Sequence, residues 1–231
     1  MVHPNKPGNP PTLLDGLQEY FIFEMSCGGQ ISIITRLDRE TSGLVLVAKH
    51  KEAAGMLGKA MEAKEFRKSY RAVVHGWPDS DQFTVDEPLL RKGEVAESPI
   101  YVKQMVHPDG KASCTEFEIE QRLTIPTPEG DQPFSLIRCT PITGRMHQIR
   151  VHLALAGYPI VGDKMYGPDE TCYLDFIETG WTMDLERRLL MNRQALHASA
   201  LGWKERNWHC GLPSDILNFL RKSPEFIGCN Q

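Results

Sequence analysis

The chain has 231 residues, of which 41% are hydrophobic and 24% charged, and its formal net charge is −4. It contains no run of 18 apolar residues and no apolar segment near the N-terminus, which excludes a membrane-spanning helix and a secretory signal among its sequence features. The six cysteines are scattered and form no CxxC pair, which indicates reduced thiols in the cytoplasm rather than a disulfide framework or a zinc site.

The N-terminal third is expected to hold a loose arm, two helices and two strands. Met1–Pro11 is polar and rich in proline, and Thr12–Tyr20 predicts a short helix with Thr12 as its cap. Ile31–Thr35 and Leu44–Ala48 are apolar and β-branched, which is typical of core strands. Lys51–Glu65 is rich in Ala, Glu, Lys and Met and predicts an amphipathic helix.

The rest of the chain is predicted to form short strands and a few helices. The segment Cys114–Glu120 alternates apolar and polar residues, as in a half-exposed antiparallel strand. Pro126–Pro133 is expected to be a loop, and residues 168–192 an acidic insert. Strands are also predicted at 69–76, 134–140 and 195–202, and helices at 145–156 and 213–222. Strands joined by hairpins with a few helices predict an α+β domain built on an antiparallel sheet.

Charge is distributed unevenly along the chain. Residues 36–71 hold nine Lys/Arg against five Asp/Glu, and residues 138–167 hold four against one. Residues 79–131 hold five against twelve, and residues 168–186 none against six. The acidic balance counts against nucleic-acid binding, yet an acidic protein can present a positive cleft. An uneven charge without function remains the alternative.

The segment from Arg36 to Gly43, RLDRETSG, lies between the first two predicted strands. It places Asp38 on a loop held by a rigid scaffold, where functional residues concentrate. Arginines on both sides of Asp38 favour its ionised form. A solvated surface turn is the alternative, since most surface charges are simply hydrated.

Four further motifs follow in order, and together with RLDRETSG they resemble the RluA-type pseudouridine synthases. They are KSYRAVVHG at 68–76, TGRMHQIRVHL at 143–153, GYPIVGDKMYG at 157–167 and ALHA at 195–198. The similarity runs from about His3-Pro4 to Trp203. Agreement of such long motifs in one chain is highly specific.

This resemblance implies a pseudouridine synthase fold, with a mixed, mostly antiparallel sheet, flanking helices and a central RNA-binding cleft. Residues 1–231 are expected to form a single catalytic domain, short at its N-terminus and without an added RNA-binding domain. The implied activity is isomerisation of specific uridines in structured ribosomal or transfer RNA, with no cofactor and no metal. We expect a cytoplasmic monomer.

The resemblance also assigns roles to residues. Asp38 is the catalytic carboxylate, either as a nucleophile at C1′ or as a general base at C2′, and the sequence does not choose between these roles. Arg145 is expected to pair with Asp38, and Tyr70 to stack on the target base. Arg36 is expected to enter the RNA stack where the base leaves, and Leu196 to form the floor beneath it. The remaining predicted RNA contacts or cleft organisers are Arg39, Lys68, His147, Gln148 and Arg150.

Three alternatives to this assignment are a metal site, an RNA-binding protein without catalysis and a glycoside hydrolase. His147 and His152 are five residues apart and would point about 140° from each other on a helix, which disfavours a metal pair. A protein that binds or folds RNA without catalysis would keep the same cleft. A glycoside hydrolase would need a second carboxylate near Asp38, and the motifs offer none.

Overall fold

The computed structural model describes residues 11–169 and 171–228. The loose arm predicted at Met1–Pro11, with His3-Pro4, therefore lies outside the described residues except for Pro11. The described helices are α1 Leu13–Tyr20, α2 Ile22–Ser26, α3 Lys51–Glu62, α4 Gln148–Leu155, α5 Thr171–Thr179, α6 Met183–Leu189 and α7 Ser214–Leu220. The strands are β1 Ser32–Ile33, β2 Ser42–Gly43, β3 Val47–Ala48, β4 Arg67–His75, β5 Gln82–Asp86, β6 Leu89–Arg91, β7 Gln104–Val106, β8 Cys114–Thr127, β9 Gly130–Pro141, β10 Leu196–Trp203 and β11 Arg206–His209.

Seven of these strands form the central sheet, in the order β11-β10-β4-β9-β8-β5, with β2 also paired to β10. Every pairing in this sheet is antiparallel except β2 with β10. Two small sheets, β1–β3 and β6–β7, lie outside it. The predicted α+β class with a mostly antiparallel sheet is confirmed. None of the described helices is long and apolar enough to cross a membrane.

The main core lies over the middle of this sheet. Val73 and Val74 of β4 and Leu136 and Ile137 of β9 are fully buried. Helices α4 and α7 add apolar side chains to the same cluster, among them Leu153, Ile216 and Phe219. Burial of this apolar surface is the main driving force for the fold, and it gives β4, β10 and α4 fixed positions from which to hold the site.

The hairpin of β8 and β9 is longer than the sequence predicted. The loop expected at Pro126–Pro133 is wrong, because Pro126 pairs with Asp131 and Thr124 pairs with Pro133 near the hairpin tip. A proline lacks only its own N–H, so it is tolerated where that donor faces away from the partner strand. The turn itself is short and includes Gly130, whose φ is +102°.

The segment from Ile31 to Ala48 places the Asp38 loop. The two expected strands are shortened to β1 and β3, which pair with each other, so that the loop connects them. Ser42 and Gly43 form β2 and pair with His197 and Ala198 of β10. A side chain on Gly43, whose φ is +115°, would lie 2.3 Å from the carbonyl oxygen of Ala198. Only glycine therefore allows the loop to approach the sheet this closely.

Among the other predicted elements, some begin and end as expected and some have shifted ends. Thr12 caps α1 in a capping box with Asp15, as expected. The helix predicted to begin at Arg145 instead begins at Gln148, because His147 adopts a left-handed conformation with φ 57° and ψ 14°. The acidic insert at 168–192 holds the two short helices α5 and α6, which are tied together by Arg188.

Candidate active site

The sequence motifs meet in one open cleft of about 580 Å³, a volume that is continuous with the solvent. Its walls come from the Asp38 loop, β4, the segment between β9 and α4, and the start of β10. Every predicted site residue except Arg39 lines this cleft; the lining includes Arg36, Asp38, Lys68, Tyr70, Arg145, His147, Gln148, Arg150 and Leu196. Arg39 is exposed on the loop beside it.

Several hydrogen bonds hold the Asp38 loop in place. The amide of Thr41 donates to the carbonyl oxygen of Asp38 at 3.1 Å. The Gln194 amide donates to the Thr41 hydroxyl at 2.9 Å. The buried ammonium of Lys164 binds both carboxylate oxygens of Glu40, at 2.8 and 2.9 Å. These contacts explain why the loop carries Glu40 and Thr41 as well as the carboxylate that faces the cleft.

Arg150 holds the Asp38 carboxylate. Its Nη1 donates to Oδ2 of Asp38 at 3.1 Å, while Nε and Nη2 donate to Asp163 at 2.6 and 2.9 Å. Burial alone would lower the pKa of Arg150, but the charge and hydrogen bonds of Asp163 outweigh it and raise that pKa. Burial likewise acts to raise the pKa of Asp163, and Arg150 reverses this effect and lowers it. The pair is therefore fully ionised at neutral pH.

Arg145 does not make the contact with Asp38 that the sequence predicted. Its side chain is exposed and its Nε donates to the carbonyl oxygen of Ala112 at 3.2 Å. The physical reason is position: Arg145 precedes α4, whereas Arg150 lies inside the helix on the side that faces the Asp38 loop. Of the two arginines in the motif, the structure selects Arg150 as the partner of Asp38.

The side chain of Gln148 is hydrogen-bonded to other groups of the protein, unlike a side chain that contacts phosphate. Its Oε1 accepts hydrogen bonds from the Thr143 hydroxyl and the Arg145 amide, at 2.6 and 3.0 Å. Its Nε2 donates to the Cys114 carbonyl and the Thr115 hydroxyl, both at 2.9 Å. All four hydrogen-bonding positions of the amide are occupied, so Gln148 organises the cleft wall. Arg150 is also buried, and three of its N–H groups donate to Asp38 and Asp163.

His147 lies beside Asp38 in a network that the sequence did not reveal. Its Nε2 is 4.0 Å from Oδ2 of Asp38, and its Nδ1 is 2.8 Å from the Tyr166 hydroxyl oxygen. Burial, followed by the charge of Arg150, lowers the pKa of His147 to about 4, so the ring is neutral at pH 7. Asp163 and Tyr166 lie in the GYPIVGDKMYG motif but were not among the predicted site residues. The available sequence signal was the appearance of polar residues directly after the apolar run 158–161.

Tyr70 and Leu196 form the apolar part of the cleft. They lie on the adjacent strands β4 and β10, and Leu196 is 3% exposed. Burial, with a smaller contribution from the Asp38 charge, raises the pKa of Tyr70 to about 12. The strand pairing is irregular between Ala198 and Ala200, next to Tyr70. Such irregularities aim side chains beside active sites.

A smaller pocket lies beside the cleft and is lined in part by Leu44, Ala198 and Leu201. Two cationic side chains, Arg36 and Lys68, line both the cleft and this pocket. Within the described part of the chain, neither side chain has a hydrogen bond or an ion pair. Burial lowers the pKa of Lys68. A partly desolvated ammonium without a counter-ion is favourable only where an anion can approach, and both cations face the open cleft.

The sequence of these motifs matches the model of the RNA pseudouridylate synthase family over residues 20–155. The chain belongs to this family. The match covers the Asp38 loop, Tyr70 and the Arg150 helix, but ends before Asp163 and Tyr166.

Curated relatives of the family agree with the match. An uncharacterised RNA pseudouridine synthase of Bacillus subtilis (strain 168) is 35% identical over 205 residues, which are 88% of this chain and 58% of that protein. The ribosomal large subunit pseudouridine synthase C of Escherichia coli (strain K12) is 38% identical over 172 residues, which are 74% of this chain and 47% of that protein. The chain thus spans about half the length of the curated relatives it matches.

Solved structures of the family support the fold. The human RNA pseudouridylate synthase domain containing 1 superposes with a TM-score of 0.68 at 23% identity, covering 95% of this chain and 81% of that one. The human RNA pseudouridylate synthase domain containing 4 gives 0.72 at 22% identity, covering 96% and 85%. Among the residues described here, no group of three or more His, Cys, Asp or Glu side chains is arranged to hold a metal ion.

Proposed function

We propose that this protein is an RNA pseudouridine synthase that isomerises specific uridines in structured RNA, with Asp38 as its catalytic carboxylate. The observation that carries the proposal is the Asp38–Arg150–Asp163 arrangement. A buried ion pair fixes one carboxylate oxygen of Asp38 and leaves the group 25% exposed toward the cleft. Only a held carboxylate that is open to a ligand suits a reaction at a ribose carbon.

The isomerisation breaks the N1–C1′ bond of uridine, rotates the uracil and joins its C5 to C1′. Asp38 could form a bond to C1′ as the N1–C1′ bond breaks, the uracil leaving with the electron pair. Alternatively it could accept a proton from C2′. In the first route C5 then bonds to C1′ as the Asp38–C1′ bond breaks and releases the carboxylate. In the second route C5 bonds to C1′ as Asp38 returns the proton to C2′. In both routes C5 finally loses its proton and N1 gains one. The reaction consumes no oxidant, reductant or second substrate.

The apolar side of the cleft suits the base. The ring of Tyr70 and the side chain of Leu196 offer a stacking surface and a floor for an extruded uracil, since flipped bases are commonly held between aromatic and apolar groups. Arg36 is exposed at the edge of the cleft, which supports the proposal that it occupies the gap left in the RNA stack. A guanidinium plane can stack on bases while its charge meets phosphate.

Ribosomal RNA is the substrate class that we favour. The Escherichia coli relative is named for the ribosomal large subunit, and it shares 38% identity with this chain. Transfer RNA remains within the proposal because shape, rather than sequence motifs, governs recognition of structured RNA. The cytoplasmic location and monomeric state remain predictions.

Pseudouridine mapping tests the function directly. Total RNA from cells with the wild-type protein is compared with RNA from cells carrying Asp38→Asn, using a pseudouridine-specific adduct that stops primer extension. A stop that disappears in the variant is expected, and it would identify both the residue and the substrate. Asp184→Asn, an exposed carboxylate on α6, is the matched control and should keep every stop.

The opposite result has a clear meaning. If no stop depends on Asp38 while the purified wild-type protein still binds the same RNA, the protein is an RNA-binding protein and the enzymatic proposal is wrong. Release of free uracil would instead indicate hydrolysis of the glycosidic bond.

A further inference from the structure

His147 occupies a position that the proposed reaction does not yet use. It immediately precedes α4, and its left-handed backbone turns the ring toward the Asp38 loop. Its side chain is 10% exposed and lies between the Tyr166 hydroxyl and the Asp38 carboxylate. A non-glycine residue in this backbone conformation is uncommon, and strain of this kind concentrates at functional sites.

The hydrogen bonds of Tyr166 determine which ring nitrogen of His147 carries the proton. The backbone N–H of Gln104 donates to the Tyr166 hydroxyl oxygen at 2.8 Å. The hydroxyl hydrogen is then free to donate to Nδ1 of His147, which is also 2.8 Å away. If Nδ1 carried the proton, the buried hydroxyl hydrogen would have no acceptor among the described residues, which is costly. The network therefore places the proton on Nε2.

The two oxygens of Asp38 differ in their surroundings. Oδ2 accepts from Arg150 at 3.1 Å and is faced by Nε2 of His147 at 4.0 Å. No residue in the described ranges donates a hydrogen bond to Oδ1. Because the Arg150 hydrogen bond and the His147 ring both lie beside Oδ2, Oδ1 is the oxygen that is free to meet a substrate.

We infer that His147 is a positioning residue, held as the Nε2–H tautomer by Tyr166, whose N–H directs Oδ2 of Asp38 toward Arg150 and leaves Oδ1 as the reacting oxygen. This inference rests on the proposed function for its kinetic consequence, but not for the tautomer itself. The 4.0 Å separation between Nε2 and Oδ2 is longer than a hydrogen bond. In this proposal the contact closes to a hydrogen bond when the substrate binds, since catalytic contacts often tighten only in the substrate complex.

Two amide variants separate this role from a general structural one. The amide nitrogen of His147→Gln reaches the place of Nε2, whereas that of His147→Asn reaches the place of Nδ1. We expect His147→Gln to keep kcat within a few fold of the wild type. His147→Asn should lower kcat about tenfold or more while KM for RNA changes little, since a hydrogen bond to a charged group contributes on this scale.

A spectroscopic readout does not depend on activity. Nitrogen NMR of the ¹⁵N-histidine-labelled full chain, with the His147 signals assigned by comparison with His147→Gln, should show a protonated Nε2 and an unprotonated Nδ1. Tyr166→Phe should lose this preference. A protonated Nδ1, or equal loss of kcat in both amide variants, would overturn the inference. Absence of pseudouridine formation in the wild type, with the expected NMR pattern, would instead count against the proposed function alone.

Discussion

Arg150 and Asp163 are joined by two hydrogen bonds, of 2.6 and 2.9 Å, at a place where the Asp163 side chain has no solvent exposure. Asp163 also accepts from the backbone amides of Met165 and Tyr166, at 3.0 and 3.1 Å. The third contact of Arg150 is Asp38. A buried pair thus connects the GDKMYG turn to the proposed catalytic carboxylate.

Replacing Asp163 is expected to lower the stability of the folded protein. Asp163→Asn leaves Arg150 buried with an incomplete partner, and removing one member of such a pair costs about 3–5 kcal/mol. Urea denaturation followed by circular dichroism would measure the loss in the free energy of unfolding. The exposed carboxylate variant Asp184→Asn is the control and should cost less than about 1 kcal/mol. Equal small losses in the two variants would show that the pair does not support the fold.

The two arginines of the TGRMHQIR segment make a second prediction. Arg150→Lys should lower the single-turnover rate by about 100-fold or more, since one ammonium cannot hold Asp38 and Asp163 together and small misplacements of a catalytic group are costly. Arg145→Lys should keep the rate and at most weaken RNA binding, because within the described ranges its side chain hydrogen-bonds only to a carbonyl oxygen. Both rates would be measured on one RNA transcript with saturating enzyme. A large rate loss in Arg145→Lys alone would restore the pairing expected from the sequence.

This reversal shows where sequence reasoning reached its limit. The motif predicts that an arginine meets Asp38, but two arginines five residues apart cannot be distinguished without knowing where the helix begins. His147 adopts a left-handed conformation, which delays α4 to Gln148 and turns Arg150 inward. Histidine is enriched among the few non-glycine residues that adopt this conformation, but nothing in the local sequence identifies His147 as one of them.

Local patterns were more informative for the sheet. The β-branched and alternating runs identified β4, β8, β9 and β10, because side-chain alternation follows directly from strand geometry. The hairpin tip differs from the prediction because Pro126 and Pro133, which favour a loop in the sequence, both lie in paired strand positions. Arg36, Tyr70 and Leu196 meet in one cleft through contacts between segments that are distant in the sequence. Only the resemblance to a known family indicated that these residues would meet.

Lys68 makes a third prediction, on RNA binding. Its ammonium has no partner within the described residues and lies near Gly144, whose added side chain would be 3.7 Å from Nζ. Lys68→Gln should weaken binding and reduce the slope of log K against log salt by about 0.7–1, which corresponds to one lost phosphate contact. Filter binding at several salt concentrations would measure the slope. Lys59→Gln, an exposed lysine on α3, is the control. An unchanged slope in Lys68→Gln would remove Lys68 from the RNA interface.

The last prediction concerns acid stability and begins with His75. Burial lowers the pKa of His75 to about 4, and its buried Nε2 has no hydrogen-bond partner among residues 11–169 and 171–228. His147 has a pKa lowered to a similar value. Between pH 6.5 and 4 the unfolded chain therefore binds more protons than the folded protein does at these rings. The contribution of these neutral rings to the free energy of unfolding is therefore complete above pH 6.5. It falls as the pH drops toward 4, by roughly 3 kcal/mol for each ring over the whole window.

His75→Phe separates this effect from general acid denaturation. The ring of His75 already packs against Phe134, with ring centres 5.2 Å apart, so a phenyl ring should fit the site. The variant should be at least as stable as the wild type at pH 7, because it removes a buried nitrogen without a partner. Its free energy of unfolding should fall less steeply between pH 6.5 and 4.5, as measured by urea titrations across that range. A variant with the same slope as the wild type would show that His75 takes up its proton in the folded protein as readily as in the unfolded chain, and the acid sensitivity would then have to come from other groups.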